Sequence, residues 1–340
     1  MNQKEVEKIL VIQLRQLGDI LLTTPIFREL KRANPNSHLT FFSHKMGKHI
    51  VEGNPYVDQH ITYHEKLTFK EEIQLLASIR EPQFNYLLDF MFNPKSCLYV
   101  LASGAERKIS FESSRSILFD QVVPRGGGAY IVDEKFRLLR AMGISPESIK
   151  LDMPWGPEQL GPTLELQKLA SSRSRRIRVI IAPTHRRAQR RWPLLRFGDL
   201  ATRLATEWNA EVIWAWGPGE EQVIDECMSH AKGITIKAPK TSFRELAALI
   251  ANSDLFIGNS NGPSHLAVAT DTPSLQLHGP TIASSWSPLT SKHHAVQAGD
   301  QNLSELTVEE VWMELEKMKD IVVEVNELRN TLGLKQSWIP

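Results

Sequence analysis

The sequence predicts an α/β protein with two doubly wound, Rossmann-like domains. Three observations support this prediction. The chain has 340 residues, which suits two domains of ordinary size better than one. Strand and helix patterns alternate in both halves, as in parallel sheets wrapped by helices. A stretch rich in proline and glycine, residues 152–162, separates the two series.

The first series predicts an N-terminal domain over residues 1–155. It begins with the apolar run Ile9–Leu14, a predicted strand, which precedes a helix that contains Pro25 and Phe27. Later segments of the same half predict strands at His38–Ser43, Gln59–Tyr63 and Asn85–Phe90, and helices at Phe69–Arg80 and Asp133–Met142.

We expect a linker at residues 156–176 and a C-terminal domain over residues 177–340. The predicted strands of this domain are Ile177–Ala182, Glu211–Trp216, Leu255–Ile257 and Ser274–Leu277. Its predicted helices are Pro193–Glu207, Glu220–His230, Ser242–Ala251, the loop and helix at Asn259–Ala269, and Thr307–Leu328. Two domains of this kind are expected to face each other across a cleft at the carboxyl ends of their strands.

The composition excludes several classes of protein. Apolar residues make up 41% and charged residues 23%, as in globular proteins. A formal net charge of +1 argues against a nucleic-acid binder. Two distant cysteines, Cys97 and Cys227, do not form a disulfide framework and are expected to be reduced thiols. The sequence shows neither a secretory signal nor a membrane-spanning apolar run, so we expect a cytoplasmic protein.

Asp19 is the first candidate functional residue. It lies in the segment 15–25, between the first predicted strand and its helix, where Gly18 allows a tight turn. The spacing alone leaves two interpretations open. Asp19 could cap the helix, or its carboxylate could act in a cleft at the strand end.

An arginine-rich segment is the second candidate. Nine arginines fall between residues 171 and 196, and no acidic residue lies among them. The arginines before the predicted strand are expected to form a solvated face. Arg186, Arg187, Arg190 and Arg191 differ, because they lie between a strand and the helix that opens at Trp192-Pro193. Guanidinium groups at a helix N-terminus suit a diphosphate.

Two further turns follow predicted strands. The glycine-rich turn 216–221 contains Glu220, and it matches neither a dinucleotide fingerprint nor a Walker A loop. The segment 258–269 places small and polar residues at a helix start, with His265 one turn in. A lone histidine at such a position is more often packed than catalytic.

The sequence offers no recognisable metal site. An Asp-x-Asp pair, an HExxH motif and a GxSxG elbow are all missing. We therefore expect no metal ion and no cofactor.

Taken together, these segments resemble glycosyltransferase family 9, the ADP-heptose:lipopolysaccharide heptosyltransferases, which have the two-domain GT-B fold. The resemblance covers about residues 8–290. It depends on Lys8–Ile12 and Gly18–Pro25 near the start, and on Gly258-Asn259, Gly262–Ala267, Thr272-Pro273 and His278–Thr281 near the end.

The resemblance implies roles for individual residues. Asp19 becomes the expected general base. The donor is expected to contact Thr184, Arg186, Arg190, Glu220, Ser260, Asn261, Gly262 and His265. The acceptor is expected to contact Arg15, Gln16, Lys45, Arg107 and Arg115, because basic groups suit an anionic glycolipid. The sequence departs from the family at Ser260, where an Asp is usual, and at Arg190, where a Lys is common.

The implied reaction is an inverting, metal-independent transfer of heptose from ADP-heptose to the lipopolysaccharide inner core. The partners are then a nucleotide-sugar donor and a lipid-linked acceptor, with no nucleic acid. Such an acceptor allows peripheral contact with the inner face of the inner membrane. Two alternatives stay open. The chain could use another nucleotide sugar, which Ser260 permits, or it could be a catalytically silent nucleotide-binding homologue.

Overall fold

A computed structural model of the chain describes residues 6–127, 130–169, 176–233 and 235–340. The chain divides into two compact units, Met1–Asp152 and Met153–Pro340, called unit 1 and unit 2 below. Each described unit contains one six-stranded parallel sheet, so the predicted α/β class is confirmed.

Unit 1 is built on the sheet order β3-β2-β1-β4-β5-β6. Its strands are β1 (Lys8–Gln13), β2 (His38–His44), β3 (Gln59–Tyr63), β4 (Tyr86–Asp89), β5 (Arg107–Phe111) and β6 (Gln121–Val123). Its helices are α1 (Leu17–Leu21), α2 (Thr24–Ala33), α3 (Lys48–Val51), α4 (Phe69–Arg80), α5 (Pro94–Ser103) and α6 (Ile131–Ala141). Residues 9–12 of β1 are almost fully buried on both faces, because β1 is a central strand covered by helices.

Unit 2 repeats this plan with the sheet order β12-β11-β10-β7-β8-β9. Its strands are β7 (Arg178–Ala182), β8 (Glu211–Trp214), β9 (Thr235–Lys237), β10 (Leu255–Asn259), β11 (Ser274–His278) and β12 (His293–Gln297). Its helices are α7 (Gly161–Leu169), α8 (Leu194–Glu207), α9 (Glu221–His230), α10 (Phe243–Ala251), α11 (Gly262–Ala269), α12 (Ala283–Trp286) and α13 (Val308–Leu332).

The expected linker at 156–176 contains a helix. Helix α7 begins at Gly161-Pro162, where a proline fits the first turn because its missing N–H would have no intrahelical partner. Thr163 and Leu166 are buried, and α7 packs on α10. The units also divide at 152/153 rather than at 155. Residues 170–175 of the expected linker lie outside the described residues.

The last helix of unit 2 is fixed by a buried carboxylate. Asp254 accepts hydrogen bonds from Arg329 and Asn326 of α13 and from the backbone N–H of Arg178 at the start of β7. Asp254 is fully buried, and these donors offset the free-energy cost of burying its charge. The network joins α13 to the amino ends of β7 and β10.

Candidate functional site

Each unit has a point where the strand order reverses. In unit 1 it lies between β1 and β4, and in unit 2 between β7 and β10. Connections leave neighbouring parallel strands in opposite directions at such a point, which opens a crevice at their carboxyl ends. The segments that follow these strands therefore line the two crevices.

Asp19 lies in α1, directly after β1. The N-cap of α1 is Gln16, not Asp19, so the structure does not support the capping interpretation. The Asp19 side chain is 21% exposed, and its Oδ1 lies 4.0 Å from Nη1 of Arg15. A carboxylate that is partly exposed at the crevice, beside a cation, is placed to meet a ligand.

Lys135 of α6 is a buried residue that the sequence analysis missed. Its Nζ donates hydrogen bonds to the carbonyl oxygen of Asp19 (3.0 Å) and to Oγ1 of Thr23 (2.5 Å). Burial lowers the pKa of Lys135 to about 7; the charge of Asp19 opposes this shift and that of Arg15 adds to it. The sequence did contain a signal for its burial, because Lys135 lies at helical spacing from Val132 and Leu139, which are both buried.

Three more acceptor candidates lie at the same edge of the sheet. Gln16 precedes α1, Lys45 follows β2, and Arg115 lies four residues beyond the end of β5. Arg107 does not join them. It is the first residue of a parallel strand, so it lies at the amino edge, where it stacks over Tyr86 with its guanidinium carbon 6.0 Å from the ring centroid. The expectation that Arg107 contacts the acceptor together with Asp19 is therefore not met.

In unit 2, hydrogen bonds connect the loops that follow β7, β8 and β10. The Thr184 hydroxyl donates to Oε2 of Glu220 (2.8 Å), which also accepts from the Gly217 N–H (2.8 Å). The Asn261 amide donates to the Thr184 carbonyl (2.9 Å). The predicted donor residues Thr184, Glu220 and Asn261 thus belong to one cluster.

Asn259, the last residue of β10, anchors this cluster from below. Its amide donates to the Pro183 carbonyl (2.7 Å) and accepts from the Trp192 N–H (2.9 Å). The side chain is fully buried. Both ends of the arginine-rich loop 184–191 are consequently fixed against β10. An asparagine at the end of an apolar strand was the available signal.

Arg190 is the arginine best placed for an anion. Its Nε is buried and has no hydrogen-bond partner among the described residues. Burial lowers its pKa, and Arg187 adds to the shift. The Nε of Arg191 is also buried without a partner there, but its Nη2 donates to the His185 carbonyl (2.9 Å), whereas Arg186 is exposed. Arg173 and Arg175, at the start of the run, lie outside the described residues.

Helix α11 begins at Gly262, next to this loop. Asn261 and Ser264 form its capping box, and Pro263 occupies the first turn. Ser260 is half-buried, and His265 is buried with its ring 6.3 Å from that of Trp286. His278, at the end of β11, is a further buried neighbour. Burial lowers its pKa to about 4, and Arg190 adds to this shift.

Neither a metal-binding cluster nor a membrane-spanning helix occurs among the described residues. No group of three or more His, Cys, Asp or Glu side chains is arranged to hold a metal ion in that part of the chain. Likewise, none of its helices is both long and apolar enough to cross a bilayer.

The model of the family described as "Glycosyltransferase family 9 (heptosyltransferase)" matches residues 73–314, more than half of the chain. The chain belongs to glycosyltransferase family 9. It is a glycosyltransferase, as the sequence predicted.

Curated relatives are similar over most of their length. Lipopolysaccharide heptosyltransferase 3 of Escherichia coli is 25% identical over 303 residues, which cover 83% of this chain and 86% of the relative. Lipopolysaccharide heptosyltransferase 2 of Salmonella typhimurium is 22% identical, over 92% and 98% of the two chains.

Solved structures confirm the fold. A family 9 glycosyltransferase from Veillonella parvula superposes with a TM-score of 0.81 at 19% identity, covering 94% of this chain and 97% of the other. The E. coli heptosyltransferase WaaC, solved with ADP, superposes with a TM-score of 0.71 at 17% identity, covering 93% and 99%. The predicted GT-B architecture, with two doubly wound domains, is thereby confirmed.

Proposed function

We propose that this glycosyltransferase transfers a heptose from ADP-heptose to the lipopolysaccharide inner core, with inversion and without a metal ion. The Asp19 carboxylate carries the proposal, because it lies partly exposed at the strand-order reversal of unit 1. Family membership and the names of the curated relatives support the donor and acceptor classes.

In the proposed reaction an acceptor hydroxyl oxygen attacks the anomeric carbon of the donor. The new glycosidic C–O bond forms as the bond from that carbon to the phosphate oxygen breaks. Asp19 accepts the hydroxyl proton, and ADP departs with the bonding electron pair. General-base catalysis of this kind contributes about 10²–10⁴-fold.

Unit 2 supplies the groups that meet the charge of the departing ADP. Arg190 has an unpartnered guanidinium nitrogen, and the Gly262 N–H at the start of α11 lies beside the cluster of Thr184 and Asn261. Fixed donors of this type stabilise developing charge because they need no reorganisation during the reaction. This role for Arg190 and α11 supports a metal-free mechanism.

Unit 1 supplies the acceptor site in this proposal. Arg15, Gln16, Lys45 and Arg115 share the carboxyl edge of the sheet with Asp19. The two arginines and the lysine suit the phosphates of a lipid-linked core. We extend the proposal to peripheral contact with the membrane that holds such an acceptor.

Ser260 favours a second candidate function, transfer from another nucleotide sugar. It offers a hydroxyl where members of the family usually carry a carboxylate. A donor sugar whose recognition does not need that carboxylate would then be the substrate.

The decisive experiment supplies the purified protein with ADP-heptose and heptose-deficient lipopolysaccharide. We expect ADP release and an acceptor mass increase of one heptose. Parallel reactions use other ADP- and UDP-sugars. Transfer from one of those alone would replace the first proposal with the second, and release of ADP without acceptor modification would contradict both.

A further inference from the structure

Lys135 occupies an unusual environment for a lysine. The side chain is 5% exposed, and its ammonium contacts a carbonyl and a hydroxyl. No carboxylate lies within ion-pair distance of it in the described part of the chain. A buried ammonium with neutral partners loses much of its hydration without an ion pair in return. Burying Lys135 in this environment therefore costs free energy.

The carbonyl that Lys135 contacts belongs to Asp19 itself. Helix α1 has five residues, and Thr23 donates its backbone N–H to Ile20 rather than to Asp19. The Asp19 carbonyl thus lacks the usual partner four residues on. It accepts instead from the Thr23 hydroxyl (2.8 Å) and from Lys135.

Lys135 and Thr23 also contact each other, so three groups form a closed set of hydrogen bonds beneath α1. The Thr23 hydroxyl, fully buried, donates to Asp19 and accepts from Lys135. Lys135 is held in turn by α6, and its Nζ lies 5.5 Å from the centroid of the Phe90 ring. The backbone that carries Asp19 is thereby tied to the body of unit 1.

We propose that Lys135 is a positioning residue that fixes the Asp19 carboxylate for proton transfer by holding its backbone carbonyl, with Thr23 as its relay. This inference deepens the proposed function and rests on the role of Asp19 as general base. Displacements of about 1 Å at a reacting group can cost on the order of 10²-fold in rate. Lys135 itself is buried and touches no substrate in this proposal.

The test compares Lys135→Met with Lys31→Met. Lys31 is a matched control, because it lies in the same unit, is 13% exposed and donates to the Ser37 carbonyl and to Asp58. For Lys135→Met we expect kcat to fall by about 10- to 100-fold while KM for both substrates stays within about twofold. Lys31→Met should lower the melting temperature and keep kcat. Equal kcat values for Lys135→Met and the wild type would overturn the proposal.

A second pair of variants guards against misfolding of Lys135→Met. Thr23→Val removes the relay hydroxyl with little change of shape, and Thr23→Ser retains it. We expect Thr23→Val to lower kcat at unchanged KM, and Thr23→Ser to keep the kcat of the wild type. Wild-type kcat in Thr23→Val would contradict the relay.

Hydrogen exchange separates this inference from the proposed function, because it needs no donor. We expect exchange of the amides of residues 18–23 to accelerate about tenfold in Lys135→Met and not in Lys31→Met. If the wild type fails to transfer heptose, the proposed function is wrong. The exchange rates still show whether Lys135 holds the backbone segment that carries Asp19. Unchanged exchange in Lys135→Met would overturn the inference even in an active heptosyltransferase.

Discussion

The hydroxyl of Thr184 donates a 2.8 Å hydrogen bond to the carboxylate of Glu220. This contact joins the loop after β7 to the turn after β8, and the Gly217 N–H accompanies it on the same carboxylate oxygen. Oε2 is therefore occupied by the protein, which fixes the orientation of the group. In the proposed function the other oxygen, Oε1, would accept from the hydroxyls of the nucleoside.

Arg190→Ala is expected to weaken ADP binding by about 10- to 150-fold. A charge-assisted hydrogen bond to phosphate is worth about 1.5–3 kcal/mol, and Arg190 has a guanidinium nitrogen without a partner among the described residues. AMP and adenosine should be affected much less, because they lack the distal phosphate. Calorimetric titration with all three ligands measures the difference.

Arg191→Ala is the matched control for Arg190→Ala. Arg191 shares the unpartnered Nε, but its Nη2 already donates to the His185 carbonyl and holds the group there, so we expect a smaller loss of ADP affinity. If Arg191 proves the critical residue, the assignment of the phosphate contact is wrong by one position. If Arg190→Ala lowers the affinities for ADP, AMP and adenosine by the same factor, the substitution has disturbed the loop.

Glu220→Ala should differ from Arg190→Ala in the ligands whose binding it weakens. We expect the affinities for ADP and for adenosine to fall by a similar factor, about tenfold or more, because the lost carboxylate would contact the nucleoside that both ligands share. The same titration series measures it. Thr184→Val removes only the hydroxyl that orients Glu220 and should have a smaller effect. A loss confined to ADP would place Glu220 near the phosphates instead.

Asp19→Asn is expected to abolish transfer and to leave ADP affinity nearly unchanged. The amide keeps the shape of the side chain but cannot accept the acceptor proton, so turnover should fall by about 10²–10⁴-fold. Single-turnover assays with saturating donor measure the rate, and titration measures the affinity. Turnover close to that of the wild type would remove Asp19 from the mechanism.

The sequence predicted the parts of the fold that have strong local patterns. Helix α4 was predicted from its helical pattern over Phe69–Arg80, the bounds that the structure shows, and a Thr68–Glu71 capping box opens it. Strands β5, β6, β9 and β12 were missed, and β6 and β9 have only three residues each. β5 begins with Arg107 and Lys108, and β12 begins with two histidines, so neither shows an apolar run.

The candidate site was predictable only where a motif carried it. Asp19 and Asn261 follow strands in recognisable segments, and the structure places them at the strand-order reversals. Lys135 and Asn259 were missed, because their roles depend on partners 116 and 67 residues away. Arg107 was misplaced, because a charge in the sequence does not show at which end of a strand it lies.

Activity is expected to survive EDTA. In the proposed mechanism Arg190 and the start of α11 meet the charge of the diphosphate, so a chelator removes nothing that the reaction needs. Assays with and without EDTA, followed by added Mg²⁺ or Mn²⁺, test this. Full inactivation that either ion reverses would show that a metal takes part.

His293→Asn is expected to flatten the dependence of stability on pH. His293 lies in β12, 5% exposed, with Nδ1 2.9 Å from the Ser274 hydroxyl. Burial lowers its pKa from 6.5 to about 4, partly opposed by Asp271. Between these values the unfolded chain binds the proton and the folded chain does not, so stability is lost as the pH falls. For one such group the loss from pH 7.5 to 4.5 is about 2.5 kcal/mol.

Urea unfolding of the full chain at several pH values between 7.5 and 4.5 measures this effect. The variant should be less stable than the wild type at pH 7.5, because the Ser274 hydroxyl loses its imidazole partner. It should then lose about 2.5 kcal/mol less on acidification, since Asn does not titrate. His230→Gln, at an exposed position, controls for removal of a histidine as such. Parallel stability curves for His293→Asn and the wild type would show that His293 does not carry the acid sensitivity of this unit.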